Sequence, residues 1–137
     1  MKKLLPVFFT LCIYSQSQGQ TPDWTENIAC ILYSHCTTCH NPNGIAPFSL
    51  LTYSDALANA SEIKTQVQDK KMPPFPADVT YQQYAHQKTL TQDEINQVVD
   101  WVNAGAPSGD TLQAITPPSY ASGGIISNPD FSESIGT

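Results

Sequence analysis

The chain has 137 residues, 40% apolar and only 13% charged, which is the balance of one small folded domain rather than of a disordered segment. Its six basic residues are all lysines, set against twelve acidic ones, so nucleic acid is a poor partner and a basic or neutral protein surface a better one. The first twenty residues read as a secretory leader. Lys2 and Lys3 open it, Leu4 to Tyr14 is an apolar stretch, and Ser15 to Gln20 is a polar run with cleavage expected near Gly19 or Gln20. The apolar stretch falls short of the roughly 20 residues that span a bilayer. Phe9-Thr10-Leu11 also lacks the small residue expected ahead of a lipidated cysteine at Cys12. The expected location is periplasmic or otherwise exported, without stable membrane insertion.

The first helix is expected from Asp23 to Cys36, because Trp24, Ile28, Ile31 and Leu32 share one helical face. Thr21 is its expected N-cap, with Pro22 in the first turn. It delivers Cys36-Thr37-Thr38-Cys39-His40. Two cysteines three positions apart lie on one face, so both sulfurs can reach the vinyl groups of one haem, and the next histidine can bring a ring nitrogen to its iron. Zinc competes, with Cys36, Cys39 and the flanking His35 and His40 as donors. Such sites usually draw their second ligand pair from a distant segment, and the chain offers no second Cys or His pair. The expectation is one haem c per chain, bonded to Cys36 and Cys39, with His40 as an axial ligand. His35 is expected at the surface, pointing away from the iron. Cys30, left unpaired, is expected as a small buried apolar residue, with an intermolecular disulfide as the alternative.

Asn41-Pro42-Asn43-Gly44 then stops the helix. The segment Gly44-Ile45-Ala46-Pro47-Phe48 is expected to fold back and offer a backbone carbonyl to the second ring N–H of His40. Ile45, Pro47, Phe48, Leu50 and Leu51 are the expected apolar contacts of the haem. A second helix is expected from Ser54 or Asp55 to about Asp69, with Leu57, Ile63 and Val67 as its stripe and Lys70-Lys71 at its negative end. Met72-Pro73-Pro74-Phe75-Pro76 is expected to be extended. Met72 is the only methionine after the first residue, and its soft thioether makes it the expected second axial ligand, with His86 in reserve. Thr91-Gln92-Asp93-Glu94 is a capping box opening a third helix, whose apolar face is Ile95, Val98, Val99 and Val102. Gly105 suits a left-handed C-cap, and Pro107 prevents continuation. Past Pro107 the composition turns to proline, glycine and serine without helical period, so residues 111–137 are expected as a mobile tail or linker, dispensable for haem binding.

Taken together, Tyr33-Ser34-His35-Cys36-Thr37-Thr38-Cys39-His40, then Gly44-Ile45-Ala46-Pro47-Phe48-Ser49-Leu50-Leu51-Thr52-Tyr53, Asp55-Ala56 and Met72-Pro73-Pro74 resemble one group of bacterial monohaem cytochrome c domains. Leu90-Thr91 through Trp101-Val102-Asn103-Ala104-Gly105-Ala106-Pro107 resembles the closing helix of that group. The resemblance covers about Trp24 to Asp110. It implies an all-α, cytochrome c-like fold with about three main helices around one covalent haem, the first and last crossing beside it. In that group the domain often stands in front of a larger exported oxidoreductase module, and a tryptophan commonly follows Met-Pro-Pro, where this chain has Phe75. The expected organisation is a leader over 1–20, a haem domain over 21–110 and a tail over 111–137. The expected function is an exported carrier of single electrons, not itself an enzyme, whose partner is a redox protein or a fused or associated oxidoreductase module. Two alternatives stand beside it: the electron-entry domain or subunit of a larger oxidoreductase, and a haem sensor with an open sixth site.

Overall fold

The computed structural model describes residues 21–74, 81–82, 84–85 and 87–120. The expected leader, Phe75, His86 and the tail from 121 onward lie outside the described residues. Those described form helices, turns and irregular segments with no strand, so their architecture is all-α. None of their helices is long and apolar enough to cross a membrane.

A π-helical turn, Trp24–Ile28, runs directly into α1, Ala29–His35. Asp23, not Thr21, caps it. Its Oδ1 accepts from the Glu26 N–H at 2.8 Å and the Thr25 hydroxyl at 3.1 Å, and a carboxylate also suits the positive end of a helix. The second expected helix is two. α2 spans Tyr53–Ala58 and α3 spans Ala60–Gln68, parted at Asn59, whose side-chain amide donates to the Asp55 carbonyl at 2.8 Å. The cap is Thr52 rather than Ser54, because Asp55 stands three residues beyond Thr52 and completes a reciprocal capping box. The break at Asn59 resets the helical phase. Ala56 and Ala60 are buried while Leu57, expected in the apolar stripe, is 45% exposed.

α4, Gln92–Asn103, opens on the capping box of Thr91 and Glu94 and closes at Gly105, whose φ of 88° is the left-handed conformation that glycine adopts without strain. Its buried face is Ile95, Val98 and Trp101. Val99 and Val102 are only partly buried, since the row at spacing three leads to Trp101 and not to Val102. Trp101 is fully buried at the junction of the domain. Its ring lies 6.5 Å from that of Trp24, which in turn meets the rings of Tyr33 and Tyr53 at 6.0 and 6.1 Å. The Pro107 carbonyl accepts both the Trp24 N–H and the Trp101 indole N–H at 3.0 Å, and the Tyr53 hydroxyl donates to the Ala106 carbonyl at 2.9 Å. The π-helical turn and α3 both pack against α4, so the start and end of the helical core are joined directly.

Just after Pro107 the chain stays against the domain. Gly109, at φ 70°, runs so close to Asp23 and Thr25 that any side chain there would collide with theirs. A 3₁₀ turn, Thr111–Gln113, follows on an Asp110 cap and contacts the π-helical turn. Residues 111–117 are exposed, and the segment meets the domain again at Tyr120, which reaches Thr37 and Asn43 in the loop after α1.

Candidate functional site

The loop that follows α1 is a continuation of helical hydrogen bonding rather than a free excursion. Cys36 and Thr37 N–H groups both donate to the Leu32 carbonyl, at 2.8 and 3.0 Å, and the Cys39 and His40 N–H groups both donate to the Cys36 carbonyl, at 3.1 and 2.9 Å. This turn puts Cys36, Cys39 and His40 on the wall of one cavity. Asn41 is buried and ties the turn from outside, its amide donating to the Thr37 and Thr38 carbonyls at 2.8 and 3.1 Å. Gly44 is obligatory for the return of the chain, because a Cβ there would strike the Cys39 carbonyl. Ala46 N–H then donates to that same carbonyl at 3.1 Å, and Leu50 N–H to the His40 carbonyl at 3.0 Å.

The fold-back delivers the carbonyl that the sequence led us to expect. His40 Nδ1 lies 3.1 Å from the Phe48 carbonyl oxygen, and the two rings stand 4.7 Å apart. With Nδ1 donating, Nε2 keeps the lone pair that a metal can use.

The cavity measures about 340 Å³, within the range of small-molecule and cofactor pockets, about 300–1,000 Å³. Ile45, Ala46, Pro47, Phe48 and Leu50 form its loop wall, Ile63 and Val67 of α3 another part, and Met72, Pro73 and Pro74 its edge. Met72 is 39% exposed and sits in a series of bends rather than in an extended run. Ile45 lines the mouth but is 93% exposed, so it covers little apolar surface in the protein alone.

Three expectations are corrected. Leu51 is not on the cavity wall. Leu50 takes that place, and adjacent residues of irregular extended chain point to opposite sides. Leu51 instead presents its carbonyl to the Tyr33 hydroxyl at 2.9 Å. His35 is not a surface residue pointing away. It is half-buried and lines the cavity, with Nε2 3.1 Å from Glu94 Oε1 and Nδ1 3.3 Å from the Lys88 carbonyl. Glu94 holds it because its other oxygen, Oε2, is engaged by the Thr91 N–H and hydroxyl, leaving Oε1 aimed at α1. Cys30 is exposed, since Ile28, Ile31 and Leu32 form the buried face and position 30 falls on the other side.

Glu62 and Gln66, which sequence reasoning passed over, also line the cavity, joined by a 2.6 Å hydrogen bond from the Gln66 amide. Their spacing of four, one residue ahead of Ile63 and Val67, was the available signal.

Burial, and then the neighbouring Cys39, push the Cys36 thiol up to about 12, with Lys88 working the other way. Among the described residues no three His, Cys, Asp or Glu side chains converge as around a metal ion. The four donors of the zinc alternative all line the cavity but do not converge on one point. The donor set that is gathered, two thiols, an imidazole with one nitrogen already occupied and a thioether, all around an apolar cavity, fits a covalently held haem. Compared with protein-family models, with curated proteins and with solved structures, the chain matches none.

Proposed function

We propose that this chain is an exported c-type cytochrome that carries single electrons. The observation that supports the reading is the presence of Cys36, Cys39, His40 and Met72 on one apolar cavity, with His40 Nδ1 bound to the Phe48 carbonyl. Cys36 and Cys39 would hold the haem through two thioethers, His40 would bind its iron through Nε2, and Met72 would be the second axial ligand. Held there, the haem would supply one-electron redox chemistry. The residues of the chain bind, orient and shield. The Phe48 carbonyl holds the His40 ring, Leu50, Ile63 and Val67 exclude water from the cavity, and Pro73 and Pro74 restrict the backbone that carries Met72. On this reading the domain resembles the cytochrome c fold, with a redox protein or an associated oxidoreductase module as its partner.

The exposure of Met72 favours testing the sensor alternative in the same experiment. The ferric wild-type protein should show the weak near-red absorption of sulfur-to-iron charge transfer, and Met72→Ala should lose it with a lower reduction potential. Five-coordinate iron and fast carbon monoxide binding in the reduced wild type would instead favour an open sixth site. An unchanged Met72→Ala spectrum, with His86→Ala altered, would move the ligand to His86.

A further inference from the structure

Thr37 lies between the two cysteines, is fully buried, and has a hydroxyl with two neighbours. Its Oγ1 donates to the Tyr33 carbonyl at 3.1 Å and meets the Tyr120 hydroxyl at 2.7 Å. A threonine hydroxyl has one proton, so with that proton spent on Tyr33 the Tyr120 hydroxyl is the donor. The Tyr120 carbonyl in turn lies 3.5 Å from the Asn43 side-chain amide, just beyond the Asn41 that binds the Thr37 and Thr38 carbonyls. Tyr120 thus meets the loop at two points from 83 residues further along the chain. The chain is brought there by the Gly109 approach to Asp23 and Thr25 and by the turn at Thr111–Gln113.

We propose that Tyr120 is a positioning residue of the Cys36–His40 loop: it fixes Thr37, and through Thr37 the two cysteines and His40. Because Cys39 and His40 hang on the Cys36 carbonyl, a Thr37 free to move lets the whole turn shift, and a bond from outside the turn holds the donors where a cofactor meets them preorganised. The segment after the closing helix is in this account a part of the site. The effect on a cofactor rests on the haem reading; the fixing of the loop does not.

The test compares the full chain with Tyr120→Phe, which removes one hydroxyl and keeps the ring, and with Tyr53→Phe, which removes the hydroxyl bound to the Ala106 carbonyl. Amide hydrogen exchange at Thr37, Cys39 and His40 should quicken about five-fold in Tyr120→Phe, the ratio that one net hydrogen bond supports, while Ile95 to Trp101 stay unchanged. Thr37→Val should give the same acceleration, and Tyr120→Phe should add nothing to it. In the haem-loaded protein the reduction potential should move in Tyr120→Phe and not in Tyr53→Phe. Loop exchange that does not change, that changes equally in α4, or that changes additively in the double variant overturns the proposal, and so does an unmoved potential. A protein without haem would defeat the reading of the cavity while leaving the exchange comparison decisive.

Discussion

His40 illustrates how a single hydrogen bond fixes the orientation of a side chain. Its ring is oriented by the Phe48 carbonyl, and that carbonyl is present only because Gly44 lets the chain pass the Cys39 carbonyl. The need for a second partner for a ligating histidine was legible in the sequence as a general rule, and the Gly-Ile-Ala-Pro-Phe segment as the place to find it. The position of Leu51 was not, because neighbouring residues of irregular chain differ in direction and no periodicity reports it. The same limit hid Cys30: a lone cysteine carries the average burial of its type until the helical face is known. Its exposure makes a direct prediction. One thiol per chain should react with a thiol reagent in the native haem-loaded protein, and Cys30→Ser should abolish the reaction. Labelling only after denaturation would mean that Cys30 is covered.

At the scale of elements, the N-terminus of α4 does more than start a helix. Glu94 caps the Thr91 N–H with one oxygen and holds His35 with the other, so one carboxylate joins α4 to the end of α1 beside the cavity. Burial pushes the Glu94 carboxyl up, but hydrogen bonds from the Thr91 backbone and hydroxyl, and then the His35 charge, more than offset it and leave it below the usual carboxylate range. A carboxylate whose folded value lies below its unfolded value adds stability above the unfolded value and loses it as the pH falls through the folded one. Glu94→Gln should therefore be less stable than wild type at neutral pH and show a shallower loss below about pH 4.5, measured by urea unfolding across pH. Parallel curves would remove Glu94 from the acid response. Thr91→Ala should cost about 1 kcal/mol as a lost cap. The box itself was readable from Thr91 and Glu94 alone. Its tie to His35 was not, because the residues are far apart in sequence and the tie depends on how α1 meets α4.

The whole molecule is held by few large side chains. Trp101 joins α4 to Trp24 of the π-helical turn, and its indole N–H shares the Pro107 carbonyl with the Trp24 N–H. Trp101→Ala should cost about 3–5 kcal/mol, a large part of what a domain of this size has, whereas Trp101→Phe should keep the fold with a smaller loss. Equal stability of Trp101→Ala and wild type would move the core elsewhere. Three helical regions and their order were legible from caps and periodicity. The docking of residues 108–120 was not, since that contact is made by a glycine approach and one tyrosine hydroxyl, neither of which leaves an apolar pattern. Truncation after Asp110 should loosen the Cys36–His40 loop, because it removes the Tyr120 hydroxyl from Thr37.

The central claim is that Cys36 and Cys39 hold one haem covalently, and intact mass of the chain, exported in a host able to attach haem c and then extracted with acidified acetone, tests it most directly. The account predicts that the denatured polypeptide keeps the mass of one haem and that Cys36→Ser with Cys39→Ser does not. A polypeptide of bare mass with the haem in the solvent, or one carrying zinc, would contradict it.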